Sequence, residues 1–451
     1  MRVRIQSVTF KYFKNISSGK IRFPCNLDSD IFSLKSDVLG IYGPNSSGKS
    51  TFIDAIKILK YLLSGVPVKE YLRNCITIGH DEAELSFELS VENDHRNKFR
   101  TIYAVQIGLD HSNETVKVST LQNNVWSRMN PVIVNRSTDY KTVITPTRRR
   151  NDLFGKSSQI LDELRSTKRL CASEHRSFLF SDEVLTLIQT KSDNTLWCPM
   201  FAAIRHFAEI SLFVIDNQNT HLNSVGTMLP LIFQTGNSIR QLELPLNRPT
   251  VIQDKEYVLA EQAVEAINTV LCKMVPAVKI ALVSLGTEHT ENRNTGIRVQ
   301  LIALKSGNNE TIPLPLKYES AGIKKIISLL PLLICTYNNP GITLAIDELD
   351  SNIYEHLLGE LLRIMQDSGQ GQLIFTSHNL RPLEVLDPSS AIFTTTDPQK
   401  RYIRPFNIKS GDNLRLHYFR DITLGSDSEE FCQEISSIEI AHAMRKVDCC
   451  M

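Results

Sequence analysis

The 451-residue chain has no apolar run of the roughly 18 residues that a membrane span requires. It also has almost no net charge. Its 50 Lys and Arg against 49 Asp and Glu leave +1, so no global field draws it to nucleic acid or to an anionic surface. Any such contact would need a local patch. Cysteine spacing of a metal or redox site is missing too: the nine cysteines include no Cys-x-x-Cys and no His partner at ligand spacing. Their odd number fits buried small hydrophobes in a reducing compartment better than disulfides. The vicinal pair Cys449–Cys450 reads as a solvated end, with metal binding or oxidation as the alternative. No heptad repeat is sustained, which argues against a long coiled-coil arm, and no internal repeat or low-complexity tract occurs. The opening residues Met1–Ser7 read as a strand and lack the apolar core of a secretion signal. A cytoplasmic protein without membrane contact is the expectation.

What is present is ordinary globular composition, 42% hydrophobic and 22% charged, with length for two or three domains. Strand patterns at Val3–Phe10 and near Lys20–Phe23 lead to a compact β-run, Val38–Tyr42. A glycine loop follows, and then Phe52, Ile53, Ala55, Ile56, Leu59, Leu62 and Leu63 recur at helical spacing. The alternating stretches Ala83–Val91 and Arg100–Leu109 predict an antiparallel meander. From 125 to 292 the pattern turns helix-like, at Ser158–Arg169, Trp197–Ile210 and Tyr257–Val275. Strand character returns at Gly296–Ala303 and Glu310–Leu316. Ile323–Tyr337, Thr343–Ile346, Ile353–Met365 and Gln372–Thr376 then alternate helix and strand, the mark of a parallel sheet flanked by helices. The expected division is a first half of the head at 1–124, a mainly helical insertion at 125–292, a second half at 293–396, and an extension at 397–451 that closes on a helix at Ser436–Arg445.

Four motifs carry chemistry. Gly43-Pro44-Asn45-Ser46-Ser47-Gly48-Lys49-Ser50-Thr51 fits G-x-x-x-x-G-K-[ST] between a strand and a helix, where backbone N–H groups and the helix dipole can cradle phosphates. This predicts ATP bound with magnesium: Lys49 on the β- and γ-phosphates, and the Ser50 hydroxyl on the metal. Next, Leu344-Ala345-Ile346 delivers Asp347 and Glu348 at a strand end, where parallel sheets bind their ligands. Asp347 would serve the magnesium shell and Glu348 would act as general base on the attacking water. The plainer reading, that one acid caps the following helix, suits Asp350 or Ser351 better. A third strand, Ile374-Phe375-Thr376-Ser377, ends at His378, placed to sense the γ-phosphate or to serve as a structural group. Fourth is Glu319-Ser320-Ala321-Gly322 before a helix, either an anion site or an ordinary N-cap. Lys324 and Lys325 in its first turn oppose the helix dipole unless an anion sits nearby.

In this order the motifs resemble the ABC-type head of the SMC, RecF and OLD-like ATPases, over about Met1–Leu109 and Gly296–Leu386. The resemblance implies an α/β P-loop NTPase with a mixed sheet and a helical insertion. It also implies that Ser320 and Gly322 form a signature touching ATP on a second head, hence a head-to-head homodimer, with Leu349–Asn352 linking the two sites. Departures are Ala321 where a second glycine is common, no His-Pro after Asp347-Glu348, and no clear Q-loop glutamine, with Gln106 and Gln122 as candidates. They fit slow or partner-gated hydrolysis. Within the group the chain is most similar to abortive-infection ATPases of bacterial anti-phage systems, such as the Septu, PARIS and retron types. It lacks the acidic cluster of a TOPRIM nuclease and a His-Asn-His pattern, so a nuclease or toxin effector would be a separate protein. The alternative is a RecF- or SMC-like DNA repair clamp, and a third reading is a nucleotide sensor with little turnover. A basic cluster in the insertion, Arg148, Arg149, Arg150, Lys156, Arg165, Lys168, Arg169 and Arg176, is interleaved with Asp152, Asp162, Glu163 and Glu174. It offers either a nucleic-acid contact or a solvated helix surface.

Overall fold

Strand Arg2–Phe13 is buried along most of its length, because strands pair on both edges and apolar layers cover its faces. Ile16–Arg22 and Glu82–Glu92 pair antiparallel with it. The meander continues through Lys98–Gly108, Ser112–Gln122, Asn130–Val134 and Ile144–Thr145, with Val125–Trp126 branching off, to give an eight-stranded sheet. The structure, a computed structural model, describes residues 1–27, 32, 34–68, 74–108, 112–122, 125–134, 143–191, 197–216, 226–235, 238–289, 295–307, 310–405 and 413–424. The helix expected at Ser436–Arg445 and the pair Cys449–Cys450 lie outside the described residues.

A second sheet of six strands runs in the order Leu212–Ile215, Thr343–Ile346, Gln372–Ser377, Asp37–Tyr42, Ala391–Thr394, Tyr402–Ile403. Its first five strands are parallel and the last is antiparallel. Its inner strands are buried at every residue, which is why their central residues are apolar without alternation and polar residues stand only toward the strand ends. Helix Lys49–Leu63 lies between the two sheets. Its Phe52, Ile53, Ile56 and Leu59 share one core with Phe10, Leu85 and Phe87 of the first sheet and Leu39, Ile41 and Ile374 of the second. Each such fully buried side chain contributes about 1.5–3 kcal/mol of transfer free energy. On the other face, Leu329 and Leu333 of helix Ala321–Asn338 and Leu358 and Leu362 of helix Glu355–Ser368 pack on Val38, Leu344 and Phe375.

The stretch 125–292, expected to be mainly helical, carries both helices and strands among its described residues. It supplies helices Thr147–Phe154, Ser158–Glu174, Asp182–Lys191, Trp197–His206 and Asp254–Met274, but also the hairpin Met228–Thr235/Ser238–Pro245 and strand Val278–His289. One of its strands, Leu212–Ile215, belongs to the parallel sheet beside Thr343–Ile346. Four apolar residues, three of them buried, are too short a run for any periodicity to show. Long strand Thr295–Gly307 pairs with Val278–His289, Thr250–Ile252 and Glu310–Pro315, and helix Asp254–Met274 packs on this small sheet through Val264, Ile267 and Leu271. At 21 residues it is the longest helix among the described residues. No helix among them is long and apolar enough to cross a membrane.

Candidate nucleotide-binding site

The buried strand Asp37–Tyr42 ends at Gly43, and helix Lys49–Leu63 begins behind Gly48 with no side-chain cap, so the helix's first N–H groups face the loop. Gly43 stands at φ +154°, and a Cβ there would come within 1.9 Å of Thr394 Oγ1; only glycine fits. Lys49 Nζ donates to the Gly43 and Pro44 carbonyls at 2.8 and 2.7 Å. Burial pushes its ammonium below the usual lysine range, opposed by Asp347, Glu348 and Asp350. The loop rests on a floor built from both ends of the sequence. Ser47 Oγ donates to Pro44 O at 2.7 Å and is hydrogen-bonded to Thr394 Oγ1. Tyr402 Oη donates to Gly48 O at 2.8 Å, the Asn15 amide donates to Ser46 O at 2.8 Å, and Arg401 donates to Asn15 O at 2.7 Å. Asn45 and Ser46 are exposed, and Thr51 donates to Asn15 Oδ1 at 3.1 Å.

Strand Thr343–Ile346 lies two places from Asp37–Tyr42 in the same sheet, so its carboxyl end opens beside the loop. Asp347 Oδ1 accepts hydrogen bonds from Ser50 Oγ at 3.1 Å and from Thr376 Oγ1 at 2.6 Å. Burial raises the Asp347 carboxyl; the Thr376 and Ser50 hydroxyls oppose this and neighbouring Glu348 adds to it. Glu348, half-buried, takes a left-handed backbone with φ +49°, a conformation that costs a non-glycine residue about 1–3 kcal/mol. Its N–H donates to Thr376 Oγ1 at 2.7 Å and its carbonyl accepts from Lys325 Nζ at 2.7 Å.

His378 is exposed at the end of strand Gln372–Ser377, and its backbone N–H, with that of Asn379, donates to Asp350 Oδ2 at 3.0 and 2.9 Å. Asp350 therefore braces the histidine loop. Neither it nor Ser351 caps the next helix, whose N-cap position is Tyr354. Ser320 is the N-cap of helix Ala321–Asn338, accepting from Ile323 N. Gly322 packs so closely on the loop after the acidic strand that a Cβ would lie 2.2 Å from Asn352 O. Lys325 is turned inward to that loop instead of standing free for an anion, and burial pushes it down to about 8.

The structure thus brings Lys49, Ser50, Asp347 and Glu348 to one sheet end, sets Gly322 and Lys325 against residues 348–352 of the same chain and leaves Ser320 exposed at its N-cap. Sequence reading assigned no role to Thr376, Asn15, Thr394 or Tyr402. Thr376 stood within a quoted motif and Asn15 within the opening stretch Met1–Leu109 of the resemblance, but Thr394 and Tyr402 are brought in by tertiary pairing alone. Gln106 accepts from Asn113 across two meander strands. In the basic cluster, Arg149, Arg165 and Arg176 are ion-paired to Asp152, Asp162, Glu174 and Glu183. No group of three or more His, Cys, Asp or Glu among the described residues could form a metal cage.

Two AAA-domain family profiles match the chain in tandem, one described as an AAA domain over residues 7–197. The other is an AAA domain whose description names the AbiEii toxin of a type IV TA system, over residues 226–384. No curated protein matches. Among solved structures, the chain is similar to an Smc head bound to the C-winged helix domain of ScpA, 15% identical over 86% of this chain and 93% of that one, TM-score 0.41. It is also similar to the SMC head domain of Thermotoga maritima, 14% identical over 89% and 99%, TM-score 0.38. A third is the recombination mediator RecF with its nucleotide, 12% identical over 88% and 97%, TM-score 0.36. The strand–loop–helix geometry and the two profiles show an α/β P-loop NTPase fold.

Proposed function

We propose that the chain is the ATP-hydrolysing subunit of a bacterial anti-phage, abortive-infection defence complex. In this reading two copies meet head to head over ATP and control a separate effector, a nuclease or toxin. The hydrolytic part rests on one observation, the unbroken path Ser50–Asp347–Thr376–Glu348. It sets a hydroxyl, a carboxylate and the peptide that carries the Glu348 carboxylate in fixed relation to the phosphate loop. Loop N–H groups and Lys49 hold the phosphates. Glu348 takes the proton of the water that attacks the γ-phosphate, leaving ADP and phosphate. Ser50 and Asp347 are hard oxygen donors in contact with each other, and they fit magnesium, which prefers few protein ligands beside phosphate and water oxygens. When bound, that ion neutralises phosphate charge. His378 would sense the γ-phosphate, and Ser320 and Gly322 would meet the partner's ATP. The C-terminal profile match supports the defence assignment.

The test begins with the purified chain, which should release phosphate from ATP only with magnesium. E348Q should keep ATP and lose turnover by about 100-fold or more, the usual worth of a general base. With ATP, E348Q should elute as a dimer, and S320R in the same background as a monomer. In cells carrying the native gene neighbours, phage plating should drop and recover with K49A. Turnover unchanged in E348Q would sink the hydrolytic assignment. DNA-stimulated turnover with no effect on plating would favour the repair-clamp reading.

A further inference from the structure

The left-handed backbone of Glu348 is held from both sides. Thr376 holds the N–H. The other side is held from a distant element. Lys325, one turn into helix Ala321–Asn338 and only 6% exposed, donates to Glu348 O at 2.7 Å, to Ser351 O at 3.0 Å and to Ser351 Oγ at 2.5 Å. An ammonium has three protons, and all three are directed at residues 348–351. The acceptors are two carbonyls and a hydroxyl, all neutral. Burying a charge on neutral acceptors is unfavourable, and a neutral side chain could fasten helix to loop at lower cost. The charge is sited where Asp350, Glu348 and Asp347 attract it. The same helix turn carries Gly322, in backbone contact with Asn352.

We propose that Lys325 is a positioning residue for hydrolysis: it fixes the Glu348 peptide in its catalytic orientation and fastens it to the Ser320–Gly322 turn. Lys325 acts through Glu348 and touches no substrate atom. The inference rests on Glu348 being the general base, as proposed above, and the experiment separates the two.

Single-turnover hydrolysis at saturating ATP and affinity for a non-hydrolysable ATP analogue are measured on the full chain. The set is wild type, K325M, E348Q and the double variant. K325M should slow hydrolysis about 10- to 100-fold while analogue affinity stays within about threefold, a loss confined to the transition state. In the E348Q background the same change should cost less than about twofold, because no carboxylate remains to be positioned. A wild-type rate in K325M overturns the proposal. So does an equal loss with and without Glu348, or a parallel loss of analogue affinity, either of which makes Lys325 a structural staple. Should K325M fail to fold, S351A removes one acceptor and is read in the same way. It should lose about 3- to 10-fold in rate only when Glu348 is present, and no loss overturns the proposal. E348Q turning over like wild type would remove the general base itself, and Lys325's role with it, before any lysine variant is compared.

Discussion

Thr376 serves two acidic-strand residues with one hydroxyl, donating to the Asp347 carboxylate and accepting the Glu348 N–H. Valine at this position keeps the shape and removes both bonds. The half-buried Glu348 N–H would then lose its partner, at up to about 1–3 kcal/mol. We expect T376V to melt several degrees lower and to hydrolyse ATP about tenfold more slowly, the factor that about 1.4 kcal/mol at the barrier gives. T376S keeps the hydroxyl and should stay near wild type in both thermal denaturation and phosphate release. If T376V matched T376S in rate, the path from Ser50 to Glu348 would have no catalytic meaning.

At the scale of the element, the pairing of Ala391–Thr394 with Tyr402–Ile403 forms the floor of the phosphate loop. Tyr402 packs against Phe10 and Phe52, with ring centroids 5.5 and 6.5 Å apart, while its hydroxyl reaches Gly48 O. Phenylalanine keeps the packing and loses the bond. Y402F should weaken ATP about 3- to 10-fold, as loss of about 0.5–1.5 kcal/mol predicts, with the hydrolysis rate at saturation unchanged. Titration with a fluorescent ATP analogue reads the first and phosphate release the second. This element also marks where sequence reading stops. The loop Gly43–Thr51 and the strand before Asp347-Glu348 are legible because their residues are consecutive and their chemistry is local. Tyr402 meets Gly48 across 354 positions of sequence, with no periodicity or motif to announce the pairing. Leu212–Ile215 was hidden for a different reason: a four-residue strand buried in a sheet looks like any apolar turn of a helix. Lys325 was visible as a cation opposing a helix dipole, but only the fold shows that it hydrogen-bonds two carbonyls and a hydroxyl of the 348–351 loop beside the acidic strand end.

Across the whole molecule, the helices after Ile144–Thr145 share an apolar core with the antiparallel sheet, and a buried carboxyl of that sheet also ties down the 177–179 turn between two of them. Glu114 accepts from Ser177 Oγ, Phe178 N and Leu179 N at 3.1, 3.2 and 3.0 Å. Burial raises it to about 7, against the partial opposition of those bonds. A folded value above the unfolded one means that stability is fullest below the unfolded value and is lost as pH rises through about 7. We expect the melting temperature to fall between pH 5 and 8 and E114Q to flatten that slope, read by thermal unfolding at each pH. An equal slope in E114Q would place the pH dependence elsewhere. The floor beneath the phosphate loop has a consequence on the same scale. Thr394 and Tyr402 reach Gly43 and Gly48 only after translation has passed them, roughly 20–70 s after the loop at 5–20 residues per second. A nascent copy spends that interval without a seat for ATP. A copy broken before Ala391 lacks both floor strands, so we expect such a truncated chain to bind ATP more weakly than the Y402F variant does.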